Sequence, residues 1–384
     1  MADFYSLRMP GAVYAGEKAM ENLAQTLNGA KRAAVFTDAG VKNAGLLARP
    51  LAALEEAGAT YEIIDNLPAE PTVYQAAEAI AAFRAIRAEV IVAVGGGSVM
   101  DVAKLASVLD TDEYTIFDLL ENPARARKCV RTVMIPTTAG TGAEATPNAI
   151  VTVPEKALKV GIVNFDMIAD AVVLDAEMLR RLPRRIAAST GVDALAHAIE
   201  CFTSRKATPL SDVYALRAFQ LIEANIERAC DDTQCDMQAK ANMLLASFLA
   251  GVAIAAAGTT GVHALSYPLG GRYHIAHGIS NAILLMPVMR FNEPACRERF
   301  ALAYDAVRPG GEIKTQEEKS AWVLSRMDEI VRRVGIEPSL RPYGVGPDDL
   351  DALVEAGMQV TRLLVNNMRE ITAQDARKIY QEVL

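Results

Sequence analysis

The sequence predicts two domains, an N-terminal α/β domain on a parallel sheet and an all-α C-terminal domain, on three observations. The 384 residues exceed the comfortable size of one hydrophobic core. The first half alternates short β-branched runs with segments of helical period, the pattern of strand–helix–strand crossovers. Beyond Leu182 and Pro183 the alternation stops, and Ala- and Leu-rich stretches of helical period run to Leu384.

The strands are expected at AAVFT near Ala33, YEIID at Tyr61, VIVAV at Val90, RTVMIP at Arg131 and AVVLD at Ala171. Near-continuous apolar runs of this kind suit a sheet covered on both faces, and Val41 to Ala57 and Val73 to Arg87 have the spacing of its covering helices. At the chain start, FYSLRMPGAVYAG reads as two edge strands joined at Pro10 and Gly11, an edge on which a second subunit can pair. The boundary falls at residues 180–186, giving domains 1–183 and 184–384, and the Pro- and Gly-containing stretch from Arg308 to Ile313 is a loop within the second. From Met243 to Gly271 there is no Asp, Glu, Lys or Arg, a length that could span a bilayer. The segment is rich in small residues, holds His263 and is interrupted by Pro268 and Gly270, so a helix buried inside a protein core is expected instead.

Composition narrows the function classes. Hydrophobic residues make up 51% and charged residues 22%, a globular balance. A net charge of −8 argues against nucleic acid as a partner, since that binding leans on an excess of Lys and Arg. The five cysteines are odd in number and form no CxxC pair, which points to neither a disulfide framework nor a thiolate metal site and to a reducing, cytoplasmic setting. The opening residues lack the basic and apolar blocks of a secretory signal and are expected to belong to the mature fold.

Two loops carry a phosphate-binding signature. VIVAVGGGSVMDVAK runs from a buried strand through Gly95, Gly96, Gly97 and Ser98 into a helix, so unobstructed backbone N–H groups and a helix N-terminus would face one ligand. The pattern is not GxGxxG, and a tight turn without a ligand would use the same glycines. PTTAGTGAE, Pro136 to Glu144, also leaves a strand end and presents Thr137, Thr138 and Thr141. Ligands of open α/β sheets sit beyond the carboxyl ends of the strands, so the two loops would converge in a Rossmann-like crevice. Asp38, just after the first strand, stands where a carboxylate can accept hydrogen bonds from an adenosine ribose, although a turn aspartate would read the same.

The metal signal is sharper. GVDALAHAIE sets Asp193 and His197 four residues apart on one helix face, and GVHALSYPLGGRYHIAHG adds His263, His274 and His277 around what reads as a Pro–Gly turn. All four histidines of the chain lie in these two motifs. One carboxylate with imidazoles suits Fe²⁺ or Zn²⁺ and suits Mg²⁺ or Ca²⁺ poorly. Spacing does not choose between His274 and His277 as the last ligand.

With these motifs in view, the sequence resembles the iron-containing alcohol dehydrogenase family, the one that includes lactaldehyde reductase and 1,3-propanediol dehydrogenase. GGGSVMDVAK, PTTAGTGAE, KVGI at Lys159, GVDALAHAIE and HALSYPLGGRYHIAHG occur in that family's order along essentially the whole chain. The resemblance implies that Asp193, His197, His263 and His277 hold the metal and that His274 lies outside its shell. It also implies that Gly96, Gly97, Ser98, Asp101, Thr137, Thr138, Thr141 and Lys159 line the dinucleotide site, with Asp38 favouring NAD over NADP. The implied reaction is hydride transfer between NAD(H) and a short-chain primary alcohol or aldehyde, with Fe²⁺, or alternatively Zn²⁺, as the catalytic ion.

The sequence departs from that family at three places that bear on substrate choice: Tyr267 where many members have a second histidine, Arg272 where an uncharged residue is usual, and His274 where Asp or Asn is common. The expected protein is a cytoplasmic homodimer or higher homo-oligomer that binds neither nucleic acid nor membrane. A lyase resembling dehydroquinate synthase would share the architecture, but it would need more basic residues around a phosphate-bearing substrate than these motifs carry.

Overall fold

The computed structural model describes residues 4–156, 158–313 and 315–384. The chain divides into two compact units, one spanning Arg8–Leu182 and the other Pro183–Leu384 together with the chain start through Leu7.

In the first unit, six strands form one wholly parallel sheet: β1 (Ala12–Ala15), β2 (Arg32–Phe36), β3 (Thr60–Ile64), β4 (Val90–Gly95), β5 (Arg131–Pro136) and, after a hairpin, β8 (Ala171–Leu174), in the order β1-β8-β5-β4-β2-β3. Every residue of β4 and β8 is buried, as the unbroken apolar runs require. Helices Val73–Ile86 and Gly97–Val108 follow β3 and β4, the first opened by a capping box in which the Thr72 hydroxyl accepts from the Gln75 N–H.

Three local expectations are corrected. The chain start forms only β1, which pairs parallel with β8, and no second strand lies among residues 4–10; Pro10 has no N–H to give a ladder. The helix expected over Val41–Ala57 is two, Ala39–Asn43 and Ala48–Glu56, because Gly45 between them takes φ +72°, outside the helical region. An antiparallel hairpin, β6 (Asn148–Val153) with β7 (Leu158–Val163), follows the second loop and was not anticipated.

The helix Gly97–Val108 is locked to that hairpin by a buried charge. Lys104, wholly inaccessible, places Nζ 2.8 Å from Asp101 Oδ1 and donates to the Ala143 carbonyl at 3.0 Å, the Thr146 hydroxyl and the Asn148 carbonyl. Asp101 Oδ2 accepts from the Ile150 N–H at 3.0 Å.

Nearby, Glu144 is buried and its Oε1 has no hydrogen-bond partner among the described residues. Burial pushes its pKa up to about 7, only partly offset by a backbone N–H and by Lys104. The folded pKa lies above the unfolded value of 4.5, so the protonated carboxyl favours the fold below pH 4.5, and this contribution is lost as the pH rises through about 7. The full difference is on the order of 3 kcal/mol. Glu144→Gln is expected to flatten the decline in urea stability between pH 5 and pH 8.5; parallel pH profiles for variant and wild type would remove Glu144 from the account.

In the second unit the helices are Arg184–Phe202, Pro209–Ala229, Met237–Ala257, Gly261–Tyr273, His277–Val307, Gln316–Arg333 and shorter ones to the C-terminus. Met237–Ala257 is long and apolar enough to cross a membrane by length and composition, but 61% of its most apolar stretch is buried in the protein, where it packs on Pro209–Ala229 and Arg184–Phe202. The expected break at Pro268 does not occur. The helix Gly261–Tyr273 runs through it, because every residue from Gly261 to Gly270 is buried and packing outweighs the one hydrogen bond proline removes. It ends at His274, which adopts φ +54°.

Candidate metal centre and nucleotide pocket

Three helices of the second unit bring four side chains to one point. Asp193 and His197 stand one turn apart on Arg184–Phe202, His263 lies in the first turn of Gly261–Tyr273, and His277 opens His277–Val307. Their donor atoms all lie within 4.8 Å of one another. Asp193 Oδ1 is 3.9 Å from His197 Nε2, 3.6 Å from His263 Nε2 and 3.7 Å from His277 Nε2. Bonds of about 2.1 Å set tetrahedral donors roughly 3.4 Å apart, so a small contraction would suit a Zn²⁺- or Fe²⁺-sized ion. Gly278 makes this approach possible, since a Cβ there would collide with the backbone carbonyl of Ser189 on the Arg184–Phe202 helix.

The electrostatics fit a cation. Burial alone would raise the Asp193 pKa, but His197, His277 and His263 outweigh it and hold the carboxyl far below the usual range. Burial likewise opposes a charged His263, yet Glu200 and Asp193 push its pKa up to about 9, so proton and metal compete for this ring. The Asn281 Nδ2 group lies 2.6 Å from Asp193 Oδ1, 3.0 Å from His263 Nε2 and 3.2 Å from His277 Nε2. Its Oδ1 is buried without a partner among the described residues. One carboxylate and three imidazoles converging on one point, acceptors that Asn281 answers with an N–H, are the donor chemistry that a divalent ion satisfies.

The other histidine in that region is elsewhere. His274 is exposed at the end of its helix, and Arg272, also exposed, lies over the Tyr273 ring at 5.7 Å. Tyr267 is buried, with its ring 6.3 Å from that of His277.

The first unit holds a cavity of about 420 Å³ beyond β2 and β4, lined by Asp38, Gly40, Leu67, Pro68, Gly96, Gly97 and Ser98 among others. Asp38 caps the helix Ala39–Asn43, its Oδ1 accepting from the Val41 N–H at 2.9 Å. The two loops meet: a Cβ on Gly97 would lie 2.8 Å from the Thr141 methyl, and one on Gly96 would lie 3.5 Å from the Thr138 hydroxyl. Thr137 is buried, its N–H donating to the Gly95 carbonyl. Ser98 Oγ accepts from the Glu70 N–H, while Lys159 Nζ is 2.6 Å from Glu70 Oε1. Asp101 faces Lys104 and the hairpin rather than this cavity. Glu70, Glu200 and Asn281 were missed in the sequence.

A parallel α/β unit with a glycine-lined cavity and a helical unit with an Asp/His₃ cluster define an enzyme class that uses both a nucleotide and a metal. Two family profiles agree: iron-containing alcohol dehydrogenase matches residues 10–176, and the C-terminal part of the Fe-containing alcohol dehydrogenase family matches residues 187–384. Long-chain-alcohol dehydrogenase 1 of Geobacillus thermodenitrificans is 33% identical, over 92% of this chain and 89% of its own. Lactaldehyde reductase of Escherichia coli is 32% identical over 92% of each. A crystal structure of 1,3-propanediol oxidoreductase superposes with a TM-score of 0.92 at 28% identity, covering all of both chains.

The chain belongs to the iron-containing alcohol dehydrogenase family. It is a metal-dependent, NAD(H)-linked oxidoreductase of alcohols and aldehydes, with iron and NAD as its cofactors.

Proposed function

We propose that this enzyme interconverts short-chain primary alcohols and aldehydes, with Asp193, His197, His263 and His277 holding Fe²⁺; Zn²⁺ would fit the same donors. The convergence of these four donors, three of them almost wholly buried, carries the reading. A divalent ion held there supplies Lewis acidity to the oxygen of the reacting carbon, and NAD(H) supplies or accepts the hydride. Asp193 provides the one anionic donor, which leaves part of the ion's positive charge to act on the substrate. Tyr267, buried beside His277, is the proposed substrate-facing side chain, whereas Arg272 and His274, on the solvent side of the last helical turn, are assigned to the rim. Residues 8–182 are read as the nucleotide domain and 183–384 as the metal domain.

In the nucleotide domain, Gly96 and Gly97 offer backbone N–H groups at a helix N-terminus to a pyrophosphate, and Thr138 and Thr141 set hydroxyls against the same turn. Ser98 and Lys159 complete the polar wall through Glu70. Thr137 and Asp101 support this wall from behind. Asp38, in the cavity lining, accepts from a ribose hydroxyl and repels a 2′-phosphate by on the order of 1 kcal/mol or more. NADH is therefore expected to be used more efficiently than NADPH, and Asp38→Gly to narrow the gap. A wild-type preference for NADPH in steady-state kinetics would overturn this placement.

The position of β1 at the edge of the sheet supports a homodimer or higher homo-oligomer, which sedimentation would test, and cysteines that form no disulfide suit a cytoplasmic setting. The activity itself is tested by reconstituting the protein with Fe²⁺ and separately with Zn²⁺ and following NADH absorbance with a series of short aldehydes. No oxidation of NADH by any aldehyde in the metal-loaded protein would defeat the reading.

A further inference from the structure

Behind the ligand cluster lies a buried carboxylate that is not itself one of the four donors. Glu200 is completely buried in the helix Arg184–Phe202, seven residues after Asp193 and three after His197. One of its oxygens, Oε1, accepts from the Thr260 N–H at 3.0 Å, the Thr260 hydroxyl at 2.7 Å and the Val262 N–H at 2.8 Å. These N–H groups open the helix Gly261–Tyr273, where backbone donors have no partner within the helix. Thr260 makes no side-chain cap of its own, so the glutamate caps its neighbour helix from outside. The other oxygen, Oε2, faces His263 Nδ1 at hydrogen-bond contact.

Those contacts fix three properties of His263 at once. With three donors already directed at it, the carboxylate can only accept, so Nδ1 keeps its proton, and the proton that a metal displaces is the one on Nε2, which faces Asp193 and His277. The imidazole plane is held by a group that is itself anchored to the backbone beneath the ring. A negative charge behind the ring also makes Nε2 a stronger donor.

We propose that Glu200 is a positioning residue for the metal: a buried carboxylate that sets the tautomer, the plane and the basicity of the His263 ligand while tying its helix to the one that carries Asp193 and His197. The proposal rests on the metal-site reading given above. Outer partners of this kind change metal affinity by roughly 10–100-fold when removed. A purely structural role, as a helix cap, would instead lower stability and leave affinity alone.

The test compares full-length wild type, Glu200→Gln, Glu200→Asp and Thr260→Val, each stripped of metal and titrated with Zn²⁺ against a fluorescent chelator, with the visible spectrum of the Co²⁺-loaded proteins as a second readout. NADH fluorescence reports that the nucleotide domain remains folded. Glu200→Gln is expected to bind Zn²⁺ about 10–100-fold more weakly and to shift the Co²⁺ bands. Thr260→Val, which loses a cap contact but keeps the imidazole contact, is expected to lower thermal stability without changing affinity. If Glu200→Gln does not fold, Glu200→Asp decides, because its shorter side chain keeps the charge but cannot span both the helix end and the ring; wild-type affinity and spectrum in that variant overturn the proposal. Wild-type affinity in a folded Glu200→Gln overturns it too, as does an equal loss of affinity in Thr260→Val. Failure of wild type to bind Zn²⁺ or Co²⁺ would instead strike the metal-site reading beneath it.

Discussion

His277→Ala is expected to lose its metal on dialysis and its turnover by roughly 10³-fold or more, since a bound Lewis acid contributes several kcal/mol to charge stabilisation in the transition state. The imidazole removed lies 3.7 Å from Asp193 Oδ1, and without it an ion at this cluster would keep only three protein donors. His277 is a better choice than His263 for this test because its side chain is 28% exposed, so alanine leaves a site that water can fill, whereas His263→Ala would strand the buried Glu200 carboxylate. His274→Ala, at an exposed helix end, is expected to keep both metal and activity. Elemental analysis decides: a full site in His277→Ala and an empty one in His274→Ala would exchange their roles.

The largest effect on stability is expected at Lys104. Replacing it with Met removes a buried ammonium that neutralises Asp101 and donates to Ala143, Thr146 and Asn148, and it leaves the Asp101 charge uncompensated in the core. Breaking one side of a buried pair in this way costs about 3–5 kcal/mol. The loss should appear in urea denaturation and as weakened NADH binding, because the same helix presents Gly97 to the cavity proposed for the nucleotide. The double variant Lys104→Met, Asp101→Leu is expected to recover much of the stability, since it removes the stranded charge. A single variant as stable as wild type would mean that Asp101 finds another partner or a proton at little cost.

Much of the fold was legible because its strands are buried on both sides. In β2, β4, β5 and β8 the apolar residues run on without polar interruption, and each run is followed by a turn or helix signal. The hairpin β6–β7 was less visible because more than half its strand residues are only partly buried and its partners are set by register, which no short window contains. Gly45 and Pro268 misled in opposite directions. The glycine breaks a periodic segment that reads as one helix, whereas the proline sits inside a helix whose burial outweighs its propensity.

The four converging donors were legible as residue types, but which of His274 and His277 joins the cluster depends on where one helix ends and the next begins. Glu200 and Asn281 had a readable signal that went unused. Glu200 continues the stripe of Asp193 and His197, and Asn281 stands four residues after His277. What the sequence could not disclose is that Glu200 reaches a second helix, because that contact joins residues 63 apart.

The origin of the four donors on three separate helices has a consequence for how this half of the protein lives without its cofactor. Asp193 and His277 are far apart along the chain, so an ion that joined them would act as a removable cross-link, closing a long loop that is otherwise held by packing and by hydrogen bonds such as that from Asn281 to Asp193. By mass action, free metal at a thousand times its dissociation constant adds about 4 kcal/mol to the folded state, and the gain fades logarithmically as metal is withdrawn. The backbone amides of the Gly261–Tyr273 helix should report this directly. Their hydrogen exchange is set to quicken on chelation while the parallel strands of the nucleotide unit keep their rates, so iron supply would govern the lifetime of the helical half as well as its chemistry.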